Sequence, residues 1–312
     1  MRITRRGLQW ALAGLWLLDA ALQFQPYMFS AAFGREVIAP TGAGQPWIVA
    51  APVHLAAHLS SAHPIATNTA FALVQLALAV GLLVRRTARV ALLASVGWSL
   101  AVWWLGEGLG GLLSGHAMLL TGAPGAVILY ALVAVAAYPA RGRDGCGDAP
   151  SPAAAIGWVA TWTVGGILQA LPGQNRPGDI AGALRDNADN VPGWLSHPTR
   201  SLAATVDHHG MIVLALIVLP LLIAAAATVP GASRTASTVA GAVLAGGFWM
   251  FGEGFGLLFS GQSTDPNSGP LLVLLAVATA AAATHRAGST AVAPRRVRHE
   301  DATPRTPLVR AA

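Results

Sequence analysis

The sequence has no lysine, a single cysteine and few charges of either sign. With only Cys146, an internal disulfide and a cysteine metal cluster are both excluded. Charged residues make up 10% of the chain, against roughly 25% in a soluble domain, so there are too few to coat a water-facing surface. Every basic charge outside histidine is an arginine, and most arginines fall in short connections or in the tail. That is a topology signal rather than a nucleic-acid surface. No HExxH, no Walker loop and no Ser or Cys nucleophile beside a base occurs.

What is present is apolar. Hydrophobic residues reach 54%, and several runs approach the ~20 residues that cross a bilayer. The pattern predicts an all-α polytopic membrane protein with eight transmembrane spans: Leu8–Met28, Pro64–Val84, Val90–Leu113, Met118–Tyr138, Ala153–Leu171, Gly210–Val229, Ser237–Phe259 and Pro270–Thr284. The N-terminal run has the outline of a signal peptide. Asp19 and Gln23 inside it, and its counterpart in the middle of the chain, predict retention as a helix.

One stretch occurs twice. Trp103 to Gly115 reads WWLGEGLGGLLSG, and Trp249 to Gly261, 146 positions later, reads WMFGEGFGLLFSG. The same shift carries Trp16 to Trp162, Gln23 to Gln169, Pro46 to Pro192, His63 to His209 and Pro124 to Pro270. The expectation is a tandem pair of parallel four-helix repeats, residues 1–139 and 153–286, related by an axis along the membrane normal. A cytoplasmic linker, 140–152, joins them, and a polar, disordered tail, 287–312, follows. The long outer loops carry Trp-bearing stretches, Pro46–Ser60 and Pro192–Thr205, expected as interfacial helices. Arg2, Arg5, Arg6, Arg85, Arg86, Arg89, Arg141, Arg143, Arg234 and Arg286 fall on one side of this plan. The positive-inside rule makes that side cytoplasmic, with both termini there and the protein in the cell membrane.

Glu107 and Glu253 lead the candidate site residues, because an acid inside an apolar span is costly and faces a bundle interior or a cavity. On a continuous helix Trp103, Glu107, Gly110 and Ser114 share one face, repeated by Trp249, Glu253, Gly256 and Ser260. Gly106/Gly110 and Gly252/Gly256 are GxxxG pairs, expected first to let helices pack closely, the alternative being local unwinding that exposes carbonyls to an ion. Asp19 is an unmatched acid, since Gly165 takes its place in the second half, and it shares a face with Gln23. Asn68 and Gln75 are likewise polar in the first half only, so that half is expected to carry more of the chemistry. His63 and His209 open two spans on the outer side, and His54 and His58 stand at i, i+4 in the first outer loop; imidazoles so placed are candidate metal or haem ligands.

These residues point first to a transporter or permease-like protein that binds a small solute or ion in the outer half of the bilayer between the repeats. Glu107, Glu253, Asp19, Gln23, Gln169, Ser114 and Ser260 would line that site. The competing expectations are a membrane redox or metal-handling protein using haem, copper or quinone at His63 and His209, and a non-catalytic assembly protein acting through its outer loops.

Overall fold

The computed structural model describes residues 4–139 and 150–291, with C-terminal side chains to residue 282. Most of the expected linker, 140–149, and the tail from 292 lie outside the described residues. Among the described residues the chain is all-helical and has no strand. In chain order the α-helices are α1 (Arg5–Leu22), α2 (Trp47–Ala62), α3 (Pro64–Leu83), α4 (Ala88–Leu105), α5 (Ala126–Ala136), α6 (Ala153–Ala170), α7 (Pro177–Asp189), α8 (Gly193–His208), α9 (Gly210–Thr228), α10 (Ala232–Gly247) and α11 (Ser268–Ala291).

Five of them are long and apolar enough to cross a membrane: α3, α4, α6, α9 and α10 with the π-helical turn that continues it to Gly252. Apart from α6, these helices bury only about a third of their residues within the protein. They expose Leu73, Val80, Val90, Leu93, Leu222, Val239 and Val243, an apolar rim that suits lipid rather than water. α5 and α11 occupy the middle instead. They pack against each other and against α6, with Leu129, Tyr130, Val133, Leu271, Leu272 and Leu275 fully buried.

Local chemistry sets the helix ends. The Thr4 hydroxyl accepts from the Gly7 N–H at 3.1 Å and starts α1. Pro64 and Pro177 open α3 and α7, where a missing N–H costs nothing. Arg6 donates to the carbonyls of Leu82 and Leu83 at the end of α3, while Gln9 donates to Ala137 O beyond α5. The start of α1 and the ends of α3 and α5 therefore lie at one end of the bundle. The expected loop helices form as α2 and α8, each 16 residues long and each with an interior proline, Pro52 or Pro198.

Three expected spans are corrected. The run Val90–Leu113 leaves the helix at Leu105, and Ser237–Phe259 leaves it after Gly252, because the glycines that follow adopt left-handed backbone. Met118–Tyr138 is a short 3₁₀ turn, Leu119–Thr121, then a Gly–Ala–Pro–Gly break and the 11 residues of α5. At ~1.5 Å per residue α5 is about 17 Å long, short of the ~30 Å hydrocarbon core.

Candidate functional site

After α4 and after α10 the chain makes the same unusual turn. Gly108, Leu109, Gly110 and Gly111 have φ of 53°, 57°, 61° and 72°; Gly254, Phe255, Gly256 and Leu257 have 55°, 58°, 68° and 53°. Four consecutive residues thus wind left-handed, which costs roughly 1–2 kcal/mol for each residue bearing a Cβ. The turn is held by close packing. A Cβ on Gly110 would lie 1.9 Å from Pro124 O, and one on Gly256 2.6 Å from the Pro266 carbonyl carbon. The Trp103 indole donates to Pro124 O at 2.6 Å and the Trp249 indole to Pro266 O at 2.7 Å.

This geometry revises the glycine and serine assignments. Gly110, Gly252 and Gly256 do allow close approach, but of backbone from the connecting segments rather than of a second helix along a GxxxG face: a Cβ on Gly252 would lie 1.9 Å from Leu120 O, whereas one on Gly106 would meet Val102 of its own helix. Ser114 and Ser260 do not continue a face with the glutamates. Their hydroxyls accept from the N–H of His116 and of Gln262, closing local turns. The partner of Pro124 in this geometry is Pro266, not Pro270, because the second connection is four residues shorter.

The two glutamates immediately precede these turns, and each meets the start of the next central helix. Glu107 Oε1 accepts from the Val127 N–H at 3.3 Å in the first turn of α5. Its Oε2 lies against Gly125, where a Cβ would come within 2.2 Å. Glu253 Oε2 accepts from the Ser268 N–H at 3.0 Å, and Oε1 takes a short bond from the Ser268 hydroxyl. Both carboxylates thus satisfy orphan amides at a helix N-terminus, where negative charge is favoured.

They differ in what lies on their other side. Glu107 lines a cavity of about 220 Å³; Glu253 does not. The cavity is walled by Asp19 and Gln23 of α1, Phe71 and Gln75 of α3, Trp98 and Val102 of α4, and Phe33, Ile38 and Thr41 from the first outer loop. Thr264 and Asp265 reach it from the loop before α11. Asp19, Gln23 and Gln75 are 1%, 2% and 8% exposed, yet Asp19 Oδ1, Gln23 Oε1, Gln75 Oε1, Trp98 Nε1 and Glu107 Oε2 have no hydrogen-bond partner. Buried polar atoms are rarely left so. Supporting contacts fix the wall: Asn68 Nδ2 donates to Gln23 O at 2.8 Å, Trp16 Nε1 to Ser95 Oγ at 2.9 Å, and Phe71 packs on Trp98 with centroids 5.8 Å apart.

The second-half residues that match these at the 146-residue shift do not line this cavity. Gly165 stands where Asp19 does, and a Cβ there would lie 2.5 Å from the Leu119 side chain. Leu221, in the place of Gln75, packs on Gly166. Gln169 is buried but bonds locally, to Gln174 O.

Asp265 was not expected from the sequence. Asp265 Oδ1 accepts from the Asn267 N–H at 2.7 Å and Oδ2 from the Thr264 hydroxyl at 2.8 Å. Burial pushes its carboxyl above the ordinary aspartate range, against the opposing pull of those two bonds. The available signal was the one that singles out Asp19, an acid with no acidic counterpart in the other half.

The histidines are not part of this site. His54, His58, His63 and His209 are all exposed; His63 and His209 sit at the junctions before α3 and α9, and the His209 ring is 2.7 Å from Thr205 O. Among the described residues no three His, Cys, Asp or Glu side chains come within reach of one metal ion. No protein-family model, curated protein or solved structure matches the chain.

Proposed function

We propose that this is a permease-like membrane protein whose solute or ion site is the cavity between α1, α3 and α4. One observation carries the reading: five polar atoms without partners, on the side chains of Asp19, Gln23, Gln75, Trp98 and Glu107, stand around a single space. A protein that needed only a stable bundle gains nothing from polar groups left unpaired in its interior. In a membrane, interior acids of this kind mark solute or proton routes.

In this proposal the chain crosses the cell membrane eight times as two related four-helix units, the crossing at the short α5 being completed by the 3₁₀ turn and the Gly–Ala–Pro–Gly segment before it, with both termini cytoplasmic. The paired turns after α4 and α10, and their glutamates, support the relationship. The arginines near the start of α1 and the end of α3 support the orientation. The working site is in the first unit, and the second serves as its structural counterpart. Glu253 then acts as a helix cap and Glu107 as both cap and cavity wall.

The test is flux. The protein is reconstituted in liposomes on a solid-supported membrane and challenged with cations, protons and small polar solutes. A current or uptake that disappears in Asp19→Asn is the expected result. If no solute or proton gradient produces flux above empty liposomes, the permease reading fails.

A further inference from the structure

We infer that the cavity accepts a small organic ammonium ion, an amine with at least one N–H and a compact apolar body. This rests on the preceding reading only in taking the cavity as a binding site; it does not require that the solute be moved. The charge balance points to a cation. Asp19, Glu107 and Asp265 all line the space, and no arginine or histidine is among the lining residues. Acids gathered in a low-dielectric interior favour an opposite charge beside them.

The remaining atoms select among cations. A bare metal ion needs several oxygen ligands converging at about 2.0–2.6 Å, and among the described residues no three acids or imidazoles converge so. An amine does not need that convergence. Its N–H groups can reach separate acceptors: Gln23 Oε1 at the end of α1 and Gln75 Oε1 on α3 are free, and the Asp19 carboxyl, which has the Tyr130 hydroxyl beside it, adds a third. The rest of the wall is aromatic and aliphatic: Trp16, Phe33, Phe71, Trp98, Ile38 and Val102. Aromatic faces attract ammonium groups, and the aliphatic side chains suit a short hydrocarbon portion. Among the residues lining the cavity Trp98 Nε1 is a donor without a partner, and it suits a hydroxyl or ether oxygen on the same molecule. Size sets the limit: at ~30 Å³ per water the space equals about seven waters, so the ligand is small.

The experiment measures binding to the purified full-length protein in nanodiscs by titration calorimetry. The probes are ethylammonium, ethanolammonium and tetramethylammonium, with propanol as a neutral control and sodium and potassium as inorganic controls. Saturable binding of ethylammonium or ethanolammonium, with none for propanol, is expected. Asp19→Asn and, independently, Gln75→Leu should each weaken it by about tenfold or more, while the exposed Asp186→Asn should not change it. Each variant is checked for an unchanged thermal midpoint, and Trp98→Phe serves where one of them fails to fold. The inference is overturned if the N–H ammonium ions do not bind, if propanol binds as well, or if the cavity variants bind like wild type. Sodium or potassium binding alone, sensitive to Asp19→Asn, also overturns it and leaves the solute-site reading standing. Ammonium binding without flux in liposomes removes the permease reading and leaves this inference intact.

Discussion

Glu253 takes two hydrogen bonds from Ser268, the first residue of α11, one from its backbone N–H and one from its hydroxyl. Glu107 takes a single, longer bond from the start of α5. The twinned acids are therefore not equivalent. Removing the fuller cap should cost more stability: Glu253→Ala is expected to lose about 1–2 kcal/mol or more, and Glu107→Ala less. Thermal unfolding in detergent, followed by tryptophan fluorescence, checks the ranking. Equal losses, or a larger loss at Glu107, would show that the caps do not set it.

The left-handed turn makes a sharper prediction. Gly110→Ala adds a Cβ at φ 61° that would lie 1.9 Å from Pro124 O. The backbone strain alone is about 1–2 kcal/mol, and the clash adds to it. Gly14, inside α1 with nothing within 4 Å of its missing Cβ, is the comparison. Gly14→Ala should be neutral or stabilising by up to about 1 kcal/mol. Folded yield on size-exclusion chromatography and the thermal midpoint should fall for the first and hold for the second.

The sequence made the helical class legible because apolar runs of span length and a shortage of charge leave little else. It also made Asp19, Gln23 and Glu107 legible, since polar groups within apolar runs stand out. The glycines were legible as a point where a helix either packs closely or unwinds, but not as which of the two. GEGLGG and GEGFGL fit a helix by spacing, and spacing cannot show that four residues in each copy will wind the other way. Once that turn replaces a helix, Ser114 and Ser260 drop off the glutamate face. Spacing was equally silent about one contact that departs from the 146-residue match. Trp16 bonds Ser95, but Trp162, its match at the same shift, stands beside Gly241 and leaves its indole N–H without a partner. The corresponding bond is made one turn earlier, by Trp158 to Ser237 at 3.0 Å. Asp265 was illegible because its contact with the cavity depends on how a loop from the second half crosses to the first.

The difference between the halves can be tested at Leu119. Its side chain covers Gly165, the match of Asp19 at the 146-residue shift, and is 2% exposed. Leu119→Ala should lose about 2–5 kcal/mol, as buried Leu→Ala changes do. It should leave ligand or flux behaviour at the Asp19 cavity unchanged. Loss of that behaviour in a folded Leu119→Ala protein would mean that the two halves share one space.

The last prediction concerns pH. Asp265 has its carboxyl held above the ordinary aspartate range, first by burial, and it interacts electrostatically with Asp19, Glu107, Glu253 and Tyr130. A raised folded-state value means that the folded protein holds this proton more tightly than the unfolded chain does. Its stabilising contribution is then complete below the unfolded value, near ~3.9, and is lost as pH rises through the folded value. Asp265→Asn keeps an oxygen to accept the Asn267 N–H and cannot ionise. The thermal midpoint of the wild type should therefore fall with rising pH above ~4 more steeply than that of Asp265→Asn. Parallel pH profiles for the two proteins would place the titrating group elsewhere and leave Asp265 with only its loop contacts to Thr264 and Asn267.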